Sequence, residues 1–138
     1  MKALAKNRDA RLILQSVYAA LALIACIGSV GFYDMKFTSD FYIFTNISLY
    51  LSTGIMLAEL IQTVQKPGDE YVTGAPRLRF VSMMGSTLTL IIFNTLLAND
   101  PAREPALNYK VECILAHIVL PVLYGMDWAL FYEHGKVK

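Results

Sequence analysis

Charged residues are nearly absent from four long stretches of this sequence, and that absence constrains the fold more than any other feature. The stretches are Leu12–Tyr33, Phe41–Val64, Phe80–Leu97 and Cys113–Tyr132. Each is about 18 to 24 residues long, which at about 1.5 Å of rise per residue matches the roughly 30 Å hydrocarbon thickness of a bilayer. The pattern predicts an all-α membrane bundle of four transmembrane helices, with residues 1–138 forming a single multispan domain.

The overall composition agrees with a membrane protein and excludes several other classes. The chain of 138 residues is 56% hydrophobic and only 17% charged, whereas soluble domains carry about 25% charged residues. Its formal net charge of +1 gives no basic surface for nucleic acid. The two cysteines, Cys26 and Cys113, lie in apolar runs, which favours neither a disulfide framework nor a metal site. Membrane lipid is the expected partner, without nucleic acid, cofactor or metal, and self-association into a homo-oligomer stays open.

Lysine and arginine are divided unevenly between the two ends of the predicted spans. Nine lie on the side of the amino terminus, the second loop and the tail: Lys2, Lys6, Arg8, Arg11, Lys66, Arg77, Arg79, Lys136 and Lys138. The other side carries three: Lys36, Arg103 and Lys110. Because basic residues concentrate in cytoplasmic segments, this distribution predicts that both termini are cytoplasmic.

The first stretch also resembles a targeting segment. A basic start and an apolar run that reaches Leu23-Ile24-Ala25-Cys26 are features of a bacterial lipoprotein signal. The apolar sequence continues past Cys26 to Phe32, which favours a full membrane span with Cys26 as a buried small side chain.

Two acidic residues lie inside the predicted spans. Glu59 and Asp127 are each about five residues from the end of a span, so their carboxylates are expected either to reach the inner interface or to pair with a basic residue. The candidate partners are Arg77, Arg79 and Lys136. This placement predicts a structural role for both carboxylates.

Polar side chains recur at helical spacing on three of the spans. Span two carries Thr45, Ser48, Ser52, Glu59 and Thr63; span three carries Ser82, Ser86, Thr89 and Asn94; span four carries Cys113, His117, Pro121, Tyr124 and Trp128. Spacings of three and four residues, or their sum, place the sets of spans two and four along one helical face; in span three Ser82 and Ser86 are four residues apart, with Thr89 and Asn94 further along. Because lipid offers no hydrogen-bond partners, these faces are predicted to point into the bundle.

Three of these residues are predicted to share one depth in the membrane. Thr45, His117 and Asn94 lie five or six residues inward from the outer ends of their spans. At about 1.5 Å per residue, all three are expected roughly 7 to 9 Å below the outer boundary. The sequence therefore predicts a layer that contains a hydroxyl, an imidazole and a carboxamide.

This layer has the components of nucleophilic catalysis. The Thr45 hydroxyl is the candidate nucleophile and the His117 imidazole its general base, since a neutral imidazole takes up the proton as the hydroxyl attacks a carbonyl. Asn46, Ser48 and Asn94 are the candidates for orienting the imidazole or stabilising an oxyanion. No carboxylate lies in the layer, so a full triad is not expected.

Three further residues or readings bear on this hypothesis. Pro121 cannot donate a hydrogen bond to the His117 carbonyl, which predicts a kink and a cavity beside the imidazole. Cys113, one turn before His117, is an alternative thiol nucleophile. A structural histidine, with hydroxyls bonded to their own helix, is the alternative without catalysis.

Two segments around these residues resemble a known family. Phe41-Tyr42-Ile43-Phe44-Thr45-Asn46-Ile47-Ser48-Leu49 and His117-Ile118-Val119-Leu120-Pro121, followed by Asp127-Trp128, resemble the androgen-induced-gene-like family of multispanning membrane proteins. That family includes animal enzymes that hydrolyse fatty acid esters of hydroxy fatty acids with a threonine nucleophile and an essential histidine. The resemblance implies a lipid-like ester substrate, with Thr45 and His117 in those roles. Family members usually have about six spans, so it also implies that this chain is about two spans short.

Two other functions stay open at this point. A small transporter is one, because four spans in about this length also build dimeric exporters, which commonly place a carboxylate at mid-membrane in the first span. The first span of this chain, Leu12–Tyr33, carries no charge and so departs from that exporter pattern. A scaffold whose polar stripes only join the helices is the other.

Overall fold

A computed structural model of the chain describes residues 7–31, 40–66, 75–98 and 111–131. Their elements are α1 (Arg8–Gly31), α2 (Asp40–Gln65), α3 (Pro76–Ile92), the π-helical π1 (Phe93–Leu97), α4 (Val111–Ile114), the π-helical π2 (Leu115–Val119) and α5 (Leu120–Phe131). α3 and π1 form a continuous third helix, and α4, π2 and α5 form a fourth. The described residues contain four helices and no strand, which confirms the predicted all-α bundle.

Three of the four helices are long and apolar enough to cross a membrane. The spans are Arg8–Gly28, Phe44–Gln65 and Pro76–Leu96, and the fourth helix has a shorter apolar stretch, Leu115–Phe131. Only 28 to 39% of the residues in the three long spans are buried inside the bundle. Large apolar side chains on their outer faces, such as Ile13, Ile27 and Val81, are more than half exposed. Such surfaces are typical of helices that face lipid.

The first and third helices begin four residues earlier than the charge pattern predicts, at Arg8 and Pro76. Pro76 occupies the first turn of its helix, where the missing N–H costs nothing. The extra turns carry four arginines, and two of them, Arg11 and Arg79, have almost fully buried side chains. Helix formation therefore continues into charged sequence because the bundle encloses those charges.

The loops and tails of the sequence prediction lie outside the described residues. This applies to the span ends Tyr33 and Tyr132, to Lys136 as a partner of Asp127, and to most of the loop residues that set the orientation.

The helices form a closed ring in which each packs against the next and the fourth returns to the first. Its core contains Tyr18, Ala22, Ala25, Leu49, Met56, Leu115, Leu120 and Tyr124. The second and third helices approach closely where Gly85 faces Ser48: a Cβ atom at Gly85 would lie 2.9 Å from the Ser48 hydroxyl. Small residues at such crossings let membrane helices pack without a hydrophobic driving force.

Candidate functional site

The predicted polar faces do point into the bundle. The buried polar residues include Thr45, Ser48, Ser52, Glu59 and Thr63 on the second helix and Ser82, Ser86 and Thr89 on the third. Cys113, His117, Pro121 and Tyr124 are buried on the fourth, where Trp128 is half-buried. Helical spacing alone was therefore sufficient to identify most of the polar interior.

Five hydroxyl side chains meet in a small pocket between the second, third and fourth helices, here called the hydroxyl pocket. They are Thr45, Ser48, Ser52, Ser86 and Thr89. Pro121 and two of its neighbours form the opposite wall. The pocket offers about 10 Å³ to a water-sized molecule, close to the minimum that one water needs. It is an uncharged space lined by both hydroxyl and apolar side chains.

The His117 imidazole is buried, follows the pocket-lining Ala116 in the chain, and is held in one orientation. Its Nδ1 lies 2.9 Å from the backbone carbonyl oxygen of Cys113, and because a carbonyl only accepts, Nδ1 is assigned the hydrogen. Nε2 is then the basic nitrogen of a neutral ring. The Cys113 Sγ lies 3.5 Å from the same Nδ1. The ring stacks on Phe93 with centroids 4.1 Å apart.

Both residues of this stack belong to π-helical segments. In π1 the Ala98 N–H donates to the Phe93 carbonyl at 2.8 Å, and after π2 the Leu120 N–H donates to the Leu115 carbonyl. Each bond spans five residues, so each segment contains one residue more than an α-helical turn. Pro121 favours the second segment because it has no N–H to donate to the carbonyl four residues earlier. Short π-helical segments are frequent at functional sites.

The structure brings part of the predicted catalytic group together. Thr45 and Ser48 both line the hydroxyl pocket, whose opposite wall includes Ala116, the residue before His117. The imidazole itself is not among the pocket-lining residues and instead packs against π1 through Phe93.

The prediction for Asn94 is wrong, and Asn46 has a lesser place than expected. Asn94 is exposed, and its amide donates to the Leu90 carbonyl of its own helix at 2.7 Å. Helical spacing explains the error, because Phe93 lies four residues after Thr89 and takes the inward position, whereas Asn94 lies five residues after Thr89 and points outward. Asn46 is half-buried and does not line the hydroxyl pocket.

A second polar centre, the ion cluster, consists of Arg79, Glu59 and Asp127. The Arg79 guanidinium pairs with Glu59 at 2.9 Å and with Asp127, and these side chains are 0%, 4% and 0% exposed respectively. The expected pairing with Arg79 is confirmed. The alternative, that the two carboxylates reach the inner interface, is wrong because both are enclosed.

Polar contacts extend from the ion cluster along the first and second helices. The Arg79 guanidinium lies 3.9 Å from the centre of the Tyr124 ring, a cation–π contact. The Thr63 hydroxyl donates to Gln15 at 2.9 Å, and the Tyr18 hydroxyl donates to Ser52 of the hydroxyl pocket at 3.0 Å. Every helix therefore contributes a polar side chain to the interior.

Arg79, the centre of this network, was missing from the predicted site. The sequence contained a usable signal, since Arg79, Ser82, Ser86 and Thr89 follow the spacing of one helical face. The predicted third span began at Phe80, after the charged residues, and therefore left out Arg79, the first residue of this helical face.

In comparison with known proteins, no family model, no curated protein and no solved structure matches the chain. Function is therefore inferred from the side chains themselves.

Proposed function

We propose that the protein is an intramembrane hydrolase of lipid-like esters, such as fatty acid esters, and a member of the androgen-induced-gene-like family. Thr45 is the nucleophile and His117 the general base. The observation that carries the proposal is the buried imidazole, whose Nδ1–H donates to the Cys113 carbonyl, on the helix whose Ala116 lines the same pocket as Thr45. This bond leaves Nε2 to accept a proton.

The reaction proceeds through an acyl-threonine. The Thr45 Oγ1 attacks the ester carbonyl carbon while its proton passes to the imidazole. Collapse of the tetrahedral intermediate breaks the bond to the alcohol oxygen, which leaves with the proton from His117. A water molecule, activated by the same imidazole, then hydrolyses the acyl-threonine.

Ser48 is the donor best placed to stabilise the oxyanion, because its hydroxyl lines the same pocket as Thr45. It replaces Asn94, whose exposed amide is bonded to its own helix. One preorganised donor to an oxyanion contributes about 3 kcal/mol to the stability of the transition state.

The pocket is far too small to hold a whole lipid. About 10 Å³ accommodates one water, so the acyl chain stays among the membrane lipids while the ester carbonyl enters between the helices. With both termini in the cytoplasm, the site faces the outer leaflet. Cysteines introduced at Ser39 and Gly68 test this orientation: an impermeant thiol reagent added outside should label the first and not the second.

Ester turnover and labelling by a fluorophosphonate probe test the mechanism. In purified protein, Thr45→Ala and His117→Ala should each reduce both signals about a hundredfold or more, and the double variant should be little worse than either single variant. Thr87→Ala is the matched control, because this half-buried threonine donates to the Met83 carbonyl of its own helix. It should retain full activity.

Two outcomes would contradict the proposal. Undiminished labelling of Thr45→Ala would remove the threonine from the reaction. Loss of turnover in Cys113→Ala, which keeps the backbone carbonyl bonded to His117, would favour the thiol as nucleophile.

A further inference from the structure

We propose that Thr89 is a further catalytic residue of the hydroxyl pocket. Its hydroxyl donates a hydrogen bond to the oxyanion that forms when Thr45 attacks the ester carbonyl. The assignment rests on the proposed hydrolase function and deepens it, because it names a second donor, from a different helix, beside Ser48.

The Thr89 hydroxyl is buried and has no hydrogen-bond partner among the residues that the structure describes. The side chain is 2% exposed and lines the hydroxyl pocket. A buried hydroxyl without a partner lowers the stability of a fold, so most buried hydroxyls are bonded. An acceptor that arrives with the substrate explains why this one is not.

Thr89 differs in this respect from other threonines of the bundle. In a helix, a threonine hydroxyl commonly bonds to a backbone carbonyl in the preceding turn. Four threonines follow this rule, with the hydroxyl oxygen 2.7 to 2.9 Å from the carbonyl oxygen four residues earlier: Thr53, Thr63, Thr87 and Thr95. For Thr89 that carbonyl belongs to Gly85, and its hydroxyl makes no such bond. The hydroxyl is therefore available to an acceptor in the pocket.

Thr89 also lies level with the nucleophile. α2 and α3 run in opposite directions, and Gly85 faces Ser48 where the two helices meet. Thr45 precedes Ser48 by three residues and Thr89 follows Gly85 by four, which corresponds to about 4.5 Å and about 6 Å of rise toward the same end of the bundle. The two threonines therefore line the pocket from two helices at nearly the same height.

The step that uses this hydroxyl is the attack on the ester. As the Thr45 Oγ1 forms its bond to the carbonyl carbon, an electron pair of the C=O bond moves onto the carbonyl oxygen, and the threonine proton passes to His117. Thr89 keeps its own hydrogen and directs it at the negative oxygen, which becomes a carbonyl again when the alcohol leaves. A donor held in place before the reaction needs no reorganisation to stabilise this charge.

The kinetics of Thr89→Val test the assignment, because valine has nearly the shape of threonine and lacks the hydroxyl. With a p-nitrophenyl ester of a long-chain fatty acid in detergent micelles, kcat should fall about a hundredfold or more. KM should stay unchanged, since the bond is made only in the transition state. Thr89→Ser retains a hydroxyl and should keep most of the activity.

Thr87→Val is the matched control, two residues away on the same helix. It removes a hydroxyl that is bonded to the Met83 carbonyl and should leave kcat unchanged. Thr89→Val breaks no hydrogen bond among the described residues, so its unfolding midpoint in detergent should equal or exceed that of the wild type. Should Thr89→Val fail to fold, Thr89→Ala decides by the same kinetic criteria.

Equal turnover in Thr89→Val and the wild type overturns the assignment, and the hydroxyl then serves internal water only. A loss of turnover that Thr89→Ser shares in full also overturns it, because the shape of the side chain and not its hydroxyl would then matter. The hydrolase proposal fails in a different way: the wild-type protein itself would neither hydrolyse the ester nor react with the fluorophosphonate probe, and the role of Thr89 would fall with it.

Discussion

The ion cluster and the hydroxyl pocket are both buried and polar, but they differ in charge and in space. The cluster holds three formal charges that are enclosed and paired, whereas the pocket is lined by uncharged hydroxyl and apolar side chains and has room for about one water. Buried charges are tolerated when each has a partner, and that pairing fixes them in place. A group that must attack a substrate needs space and neutrality, and the hydroxyl pocket offers both.

The two centres also differ in helix geometry. Glu59, Arg79 and Asp127 all lie in regular α-helix, whereas Phe93 and His117 lie in π-helical segments. Regular helix keeps each of these side chains on the inward face of its own helix, so the ion pairs form between helices. The π-helical turns change the register locally and bring an aromatic ring and an imidazole into a stack. We therefore expect the ion cluster to determine the stability of the bundle, and the hydroxyl pocket with the nearby His117 to determine its activity.

Replacing Arg79 should have the largest effect on stability. Arg79→Leu leaves the Glu59 and Asp127 carboxylates buried without their shared cation, which should cost about 3 to 5 kcal/mol of unfolding free energy. Unfolding in detergent, followed by circular dichroism, measures the loss. Arg77→Leu, two residues away and exposed, is the control and should unfold at the wild-type midpoint. Equal midpoints for the two variants would mean that the cluster does not support the bundle.

Phe93→Leu, next to His117, should lower activity much more than stability. Leucine nearly fills the site, so the unfolding free energy should fall by about 1 kcal/mol. Loss of the aromatic face leaves the His117 ring free to turn, and misplacement of a catalytic group costs about ten- to a hundredfold in turnover. Phe131→Leu, at a buried aromatic position near the ion-cluster end, should lose similar stability without losing turnover. Equal turnover in both variants would contradict a positioning role for Phe93.

The sequence allowed the helices of this fold to be predicted because lipid imposes a simple rule on composition and length. The same rule left Arg79 outside the third span, although Arg79 was a predicted partner of the two carboxylates, since a stretch defined by the absence of charge ends where an arginine begins. Only the three-dimensional pairing with Glu59 and Asp127 makes that charge acceptable inside the bundle.

The candidate site was predictable where the helix is regular. Thr45 and Ser48 were correctly placed inward because α2 keeps its α-helical spacing throughout. Asn94 was misplaced because it was judged by its depth in the membrane, although it lies five residues after Thr89 and therefore off the inward face that Phe93 continues. In the fourth helix Pro121 gave a partial signal, since a proline removes one backbone donor.

Gly85→Ala should have the smallest effect and gives the finest test of how the hydroxyl pocket depends on packing. An added Cβ would meet the Ser48 Oγ at 2.9 Å, so this hydroxyl must rotate. The loss is partly offset because alanine favours helix by up to about 1 kcal/mol over glycine. The net change in unfolding free energy should therefore stay below about 1 kcal/mol, while turnover falls severalfold as Ser48 leaves its position.

At Gly54, where nothing lies within 4 Å of an added Cβ, alanine should bring the helix gain with turnover unchanged. Identical turnover in Gly85→Ala and Gly54→Ala would show that the Ser48 hydroxyl takes no part in the reaction, because only the first substitution displaces it.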